Sequence, residues 1–134
     1  MNKVDWQSAS AFQGPHKSPG FQLWYTFLTW QRELNEVLQS VGLTQPQFSI
    51  LAVVGWLTRN QSSIKQQDIA DFIQMDRMHI SQIVRKLEKM GYVERNSSSE
   101  DKRVQLIQLS QVGAGKLGES LPLVEAADRR FFSP

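Results

Sequence analysis

The sequence predicts a mainly α-helical chain that carries one small β hairpin. In several stretches the apolar residues recur at steps of three and four, which is the spacing of a helix with one buried side. Only YVER and VQLIQLS resemble strands, and the polar segment NSSSEDK joins them, as in an antiparallel hairpin. The chain has 134 residues, of which 40% are hydrophobic and 21% are charged. This size and balance are typical of one compact domain.

The first 20 residues predict a loose N-terminal arm, because Gly14, Pro15, Pro19 and Gly20 interrupt a polar stretch. Residues 21–41 predict a long helix, since their apolar residues recur at alternating steps of four and three. These residues are Leu23, Phe27, Trp30, Leu34, Val37 and Val41, and the apolar side is widened by Trp24, Leu28 and Leu38. Two interpretations remain open: the helix is simply well buried, or it also packs on a further partner.

Residues 42–110 predict two short helices around a tight turn, followed by the hairpin. After a helix that Thr44 can cap and the polar break NQSSIKQ, residues 66–74 predict the first short helix. Met75 and Asp76 form the turn, and Asp76 is a suitable N-cap for the second helix, over about 76–90. Gly91 ends that helix. Its buried side is expected to be Ile80, Ile83, Val84 and Leu87.

A helix-turn-helix followed by a hairpin, here over about 92–109, is a winged helix-turn-helix. The second helix is then the recognition helix, and the hairpin is the wing. A last helix is expected over 111–134, although Gly113, Gly115, Gly118 and Pro122 lower its helical propensity.

The exposed side of the recognition helix offers groups that can read DNA bases. Arginine can bind guanine, and glutamine adenine, through two hydrogen bonds, while serine and histidine reach bases or phosphates. The candidates are Arg77, His79, Ser81, Gln82 and Arg85. The alternative for these residues is an ordinary solvated surface.

The wing adds cations and hydroxyls that suit a minor groove and its phosphates. They belong to Arg95, Ser97, Ser98, Lys102 and Arg103. Asp101 cannot bind phosphate directly, and its expected role is to orient a neighbouring guanidinium by a fork-like hydrogen bond. The alternative is a solvated charge cluster on a loop.

Composition argues against several other classes of protein. There is no cysteine and there are only two histidines, His16 and His79, so a zinc site, a thiol switch and a disulfide framework lack ligands. No phosphate loop, nucleophile motif or metal cluster is recognisable, so we expect no enzyme activity, metal or cofactor. No apolar run approaches the roughly 20 residues of a membrane span, and a cytoplasmic location is expected. The net charge of +2 permits a polyanionic partner without requiring one.

The segment from Gln66 to Leu117 resembles the MarR family of bacterial and archaeal transcription regulators. The most specific pieces are LEKMGYVER, the wing EDKRVQLIQLS and the glycine that follows it, Gly113. Within the wing, Asp101 and Arg103 reproduce the family's Asp-x-Arg. Upstream, LWYTFLTWQRELNEVLQSVGLTQPQFSIL is similar to the family's first two helices, so the resemblance covers the chain from about Phe21 onward.

The resemblance implies a homodimer on a pseudo-palindromic double-stranded operator, with a recognition helix in each major groove and Arg103 in the minor groove. It also implies that the helices over 21–41 and 111–134 flank the DNA-binding domain and mediate dimerisation, the second being shorter than usual for the family. The function expected is a transcription regulator, specifically a repressor that a small lipophilic or aromatic ligand relieves. Since the chain lacks cysteine, the thiol-based peroxide sensing of some family members is excluded.

Such a ligand is expected between the dimerisation and DNA-binding regions. The candidate walls of the pocket are Trp24, Phe27, Trp30 and Trp56, with His16 or Arg32 as a polar partner; the alternative for each aromatic residue is core packing. An alternative function also remains open, a winged-helix protein-interaction module without specific DNA binding. Partner binding without salt-sensitive DNA affinity would distinguish it.

Overall fold

The computed structural model describes residues 2–134, and these confirm a mainly α-helical fold with a small antiparallel sheet. In chain order the elements are α1 (Trp6–Ala9), α2 (Pro19–Leu38), α3 (Gln45–Leu57), β1 (Ile64–Lys65), α4 (Gln66–Ile73), α5 (Arg77–Lys89), β2 (Val93–Ser97), β3 (Gln105–Leu109) and α6 (Gln111–Phe132). Single turns of 3-10 helix lie at Pro15–Lys17 and Gln39–Val41. The chain divides into two compact units, with the boundary between Glu33 and Leu34.

The first unit contains more local structure than the loose arm that the sequence predicts. Helix α1 and the first 3-10 turn lie within the predicted arm. Helix α2 begins two residues earlier than expected, at Pro19, because proline is tolerated in the first turn of a helix. The Ser18 hydroxyl accepts the Phe21 N–H at 3.3 Å, and the Ser18 carbonyl accepts the Gln22 N–H at 3.0 Å.

The second unit is built around α3, which begins at the predicted capping residue. The Thr44 hydroxyl accepts the Gln47 N–H at 3.4 Å, and the Gln47 side chain accepts the Thr44 N–H at 3.0 Å. This reciprocal pair fixes the start of the helix. From there α3 contributes buried side chains to a core that it shares with α4, α5, β3 and α6; its most deeply buried members are Ile50, Leu51 and Val54.

The helix-turn-helix is confirmed, with α4 and α5 separated by a three-residue turn, Gln74 to Asp76. Gln74 adopts a left-handed conformation (φ 59°) that ends α4. The Asp76 carboxylate accepts the Met78 N–H at 3.4 Å and caps α5. The predicted buried side of α5 is also confirmed, since Ile80, Ile83, Val84 and Leu87 are all buried.

The sheet contains a strand that the sequence did not reveal. The predicted hairpin is present as β2 and β3, paired from Val93 with Leu109 to Ser97 with Gln105. In addition, β1 lies within the predicted polar break and pairs with the other edge of β3, through Ile64 with Ile107 and Lys65 with Leu106. Two residues are too few to show the alternation by which strands are recognised.

Helix α6 forms without interruption despite its glycines and Pro122. It begins against the base of the wing, where the Ser110 N–H donates to the Tyr92 carbonyl at 3.0 Å. The Ser110 hydroxyl donates to the Gly91 carbonyl and accepts the Gly113 N–H. A Cβ atom on Gly113 would lie 1.8 Å from the Tyr92 carbonyl oxygen, so only glycine permits this approach.

We expect Gly113→Ala to destabilise the second unit by about 1 to 3 kcal/mol, because the methyl group would force α6 away from Tyr92. The matched control is Gly115→Ala, where a Cβ meets nothing within 4 Å and the higher helical propensity of alanine should stabilise by up to about 1 kcal/mol. Urea denaturation of the two variants measures both effects. Equal stabilities would contradict the contact.

Candidate nucleic-acid interface

The candidate base-reading residues of α5 are accessible to a partner. Arg77, His79, Gln82 and Arg85 are exposed, and Ser81 is half-buried. They lie away from the buried side of the helix, as an amphipathic helix requires. Met78, which the sequence did not single out, is also 69% exposed. Its position between two candidates was the available signal, and its apolar side chain suits contact with a thymine methyl.

The wing presents one guanidinium in a fixed orientation. Arg103 donates from Nε to Asp101 Oδ1 at 3.2 Å and from Nη2 to Oδ2 at 3.3 Å. The Arg103 N–H also donates to Oδ1, at 3.0 Å. Asp101 therefore forms the predicted fork, while the Arg103 side chain stays 91% exposed.

The fork persists at ordinary pH. The hydrogen bonds from the Arg103 side chain and backbone lower the pKa of Asp101 below its usual value. Because the pKa is lowered, the charged fork is complete above the usual aspartate pKa and is lost only as the pH falls through the lowered one. The orientation of Arg103 is thus insensitive to pH near neutrality.

The other wing candidates are not equally placed for DNA. Arg95 lies in the middle of β2, opposite Ile107, and its Nη2 is 3.1 Å from Glu88 Oε1, so it joins β2 to α5. The Ser98 hydroxyl accepts the Glu100 N–H at 3.2 Å and shapes the tip. Ser97 and Lys102 are exposed.

One groove brings the recognition helix and the wing together. Its volume is about 290 Å³, and both Arg77 and Arg103 line it. A third cation, Lys65, lines the same groove. Lys65 was not predicted as a site residue because its position depends on β1, the strand that the sequence did not reveal.

The residues of the expected ligand pocket lie in different surroundings. His16 lines a cavity of about 370 Å³ in the first unit, together with Phe21, Gln22, Tyr25 and Thr26. Trp24 and Phe27 are exposed, Trp30 is half-buried, and Arg32 is exposed. Trp56 instead lines a groove within the second unit. Neither unit by itself gathers the six candidates into one pocket.

The groove at Trp56 is predominantly apolar. Its volume is about 500 Å³, and its walls come from α3, β3 and α6: Ala52, Gly55, Trp56, Leu109, Ala114, Leu117, Gly118 and Leu121. The Arg59 guanidinium lies over the Trp56 ring, 3.5 Å from its centroid. An apolar groove with one cation at its edge suits a small lipophilic anion.

Residues 2–134 contain neither a ready metal cluster nor a single membrane-spanning helix. No group of three or more histidine, cysteine, aspartate or glutamate residues among them is arranged to hold a metal ion. No single described helix has both the length and the apolar composition to cross a membrane. Only Pro19–Val41 and Gln45–Leu57 taken together, bent by 74°, meet that test.

Comparison with known proteins identifies the family. Residues 43–104 match the model of the MarR family. The chain is 37% identical to the uncharacterized HTH-type transcriptional regulator YdcH of Bacillus subtilis (strain 168) over 130 residues, which cover 97% of this chain and 87% of YdcH.

Solved structures share the fold. CouR from Rhodococcus jostii RHA1, bound to p-coumaroyl-CoA, is 25% identical with a TM-score of 0.75, over 90% of this chain and 82% of CouR. A mutant of MarR from Escherichia coli, complexed with operator DNA, is 23% identical with a TM-score of 0.75, over 84% of this chain and 78% of MarR. The chain therefore belongs to the MarR family.

Proposed function

We propose that the chain is a sequence-specific transcription regulator that binds double-stranded DNA. The observation that carries this proposal is the convergence of Arg77, from the start of α5, and Arg103, from the wing, on one groove. The four buried residues of α5 turn its polar side outward. The operator DNA in the E. coli MarR structure and the regulator name of YdcH support the same function.

In the proposed complex α5 lies in the major groove and the wing reaches the adjacent minor groove. The N-terminal part of α5 meets base edges, where Arg77 can bind guanine and Gln82 adenine through paired hydrogen bonds. Arg103 enters the minor groove already oriented by Asp101. Since the fork restricts the guanidinium before binding, less conformational entropy is lost on contact.

A second copy of the chain is the proposed partner of the first unit. Helix α2 exposes Leu23, Trp24, Tyr25, Phe27 and Leu28, which is more apolar surface than a free helix tolerates well. A second copy provides a second recognition helix for a pseudo-palindromic operator. The linked second contact then raises the affinity through its effective concentration.

We place a regulatory ligand in the apolar groove at Trp56. The ligand class is a small lipophilic or aromatic molecule with an anionic group that can approach Arg59. Leu109 and Ala114 line the groove and flank the junction at which α6 meets the wing. A ligand that favours one arrangement of this junction changes the affinity for DNA. We propose that it relieves repression, and the bound p-coumaroyl-CoA of CouR supports control by a small molecule.

The proposed activity is binding alone, without catalysis. A regulator of this kind acts where the DNA is, and so we infer a cytoplasmic location. The protein-interaction module remains the competing function, and the DNA-binding measurement separates the two.

We expect Arg77→Ala to weaken operator binding by about 1 to 3 kcal/mol, or roughly 5- to 150-fold, because a base contact is lost. Arg103→Ala should cause a loss of similar size, and Lys89→Ala, at the far end of α5, should change affinity least. The operator is first selected from randomised duplex DNA, and affinities are then measured by fluorescence anisotropy at fixed salt. Unchanged affinity in both arginine variants would reject this surface. Wild-type protein without salt-sensitive DNA affinity would favour the protein-interaction module.

We expect Leu23→Lys to raise the dissociation constant of the dimer at least about tenfold, because it places a charge within an apolar interface. Leu23 is 72% exposed in the single chain, so the substitution should leave folding intact. Gln39→Lys adds the same charge beyond the end of α2 and serves as the control. Light scattering over a concentration series measures the mass. A monomeric wild type, or equal masses for both variants, would contradict the proposed interface.

We expect Gly118→Leu to fill the groove at Trp56 and lower the affinity for an aromatic anion at least about tenfold. A Cβ atom at this position meets nothing within 4 Å, as also at Gly115, which does not line the groove. Gly115→Leu is therefore the matched control. The probe is anilinonaphthalene sulfonate, followed by its fluorescence, and operator binding should survive in both variants. Equal probe affinity in the two would exclude this groove.

A further inference from the structure

The groove between the helix-turn-helix and the wing contains more positive charge than base reading requires. Its cations come from three elements: Lys65 ends β1, Arg77 begins α5, and Arg103 follows the wing tip. The other lining residues are Gln66, Gln67, Ala70, Ile80, Val104 and Gln105. None of these lining residues is acidic, so every charged side chain that lines the groove is a cation.

Two of these cations have no counterion in the part of the chain that the structure describes. Within residues 2–134, neither Lys65 nor Arg77 forms an ion pair, and the carboxylate of Asp101 neutralises only Arg103. Like charges that line one groove repel each other, and this repulsion is relieved when an anion enters. The arrangement therefore favours an anionic group inside the groove.

The chain around Lys65 is held in place from two directions. Lys65 pairs with Leu106 across the β1–β3 ladder. Its N–H donates to the Asp68 carboxylate at 2.9 Å, which also fixes the start of α4. The ammonium group thus extends from a rigid position next to the wing, as a prepared binding site requires.

Gln66 supplies a second, independent indication. Its Oε1 is buried without a hydrogen-bond partner among the described residues. A buried carbonyl oxygen without a donor costs free energy. One water molecule has two donors and can bridge this oxygen to an oxygen of a bound phosphate.

We propose that the groove is a phosphodiester-binding site, in which the Lys65 ammonium holds one phosphate of the DNA backbone and Arg77 and Arg103, which line the same groove, add positive charge around it. The phosphate lies between the base contacts of α5 and the minor-groove contact of the wing. This inference rests on the proposed DNA-binding function and adds Lys65 and Gln66 to its contact surface. A phosphate carries no sequence information, so the site fixes the register of the protein on the duplex.

The first test compares Lys65→Ala with Lys89→Ala, two substitutions that each remove one exposed lysine. Lys65→Ala should weaken binding to the selected operator and to random duplex by the same factor. It should also reduce the slope of log affinity against log salt by about 1 for each chain bound. Lys89→Ala should leave the slope unchanged. An unchanged slope in Lys65→Ala overturns the inference, and Lys65→Gln, which keeps most of the stem, repeats the test if the alanine variant does not fold.

The second test locates the phosphate. Each backbone phosphate of the operator is replaced singly by a neutral methylphosphonate, and affinities are measured for the wild type and for Lys65→Ala. One position in each half-site should weaken the wild type but not the variant, because the variant has already lost that contact. Additive losses at every position overturn the assignment to a backbone phosphate.

The third test separates DNA from a free anion as the source of the phosphate. Inorganic phosphate and chloride are compared as competitors of operator binding at equal ionic strength. Equal competition supports the DNA backbone as the occupant. Stronger competition by phosphate that disappears in Lys65→Ala shows a free-anion site instead and overturns the inference. If the wild type binds no DNA, the proposed function fails. If the wild type binds DNA and Lys65→Ala binds it with the same affinity and the same salt slope, only this inference fails.

Discussion

The hydrogen bonds on both edges of β3 hold the functional surface together. One edge pairs with β2 and forms the wing, and the other pairs with β1 and brings Lys65 beside it. Ile107 is fully buried at the centre of this arrangement. A slip of one residue would turn Ile107 toward solvent and displace Arg103 from Arg77. The spacing of the groove is therefore set by the register of this central strand.

Local interactions explain how much of the fold could be predicted. The caps at Thr44 and Asp76 join residues two or three positions apart, and the buried side of α5 repeats at every turn. Such signals are complete within a short window of sequence. The pairing of β1 with β3 joins residues far apart in the chain, and no local pattern records it. The start of α6 could be predicted only in part. Its glycines weaken the local helical signal, and the requirement for glycine at Gly113 comes from a carbonyl that is distant in the sequence.

The same distinction applies to the candidate site. The fork between Asp101 and Arg103 spans two residues and was predicted from the sequence. The ion pair of Arg95 with Glu88 joins a strand to a helix, and no local sequence pattern records it. The expected ligand pocket combined residues by their aromatic character and by family resemblance. Neither source gives distances, so neither could predict which residues surround Trp56. In the structure Trp56 lines a groove with residues of α6 that were not candidates.

The close contact between Gly113 and Tyr92 has a mechanical consequence. Because no side chain separates them, the start of α6 packs directly on the Tyr92 carbonyl and has little room to shift. This contact therefore acts as a pivot for the helix. Helix α6 extends 22 residues from this pivot, which is about 33 Å. A displacement of its far end by several ångströms thus corresponds to a rotation of only a few degrees where the helix meets the wing. In an assembly of two chains, a change in the separation of the far ends of α6 would therefore change the angle of each wing.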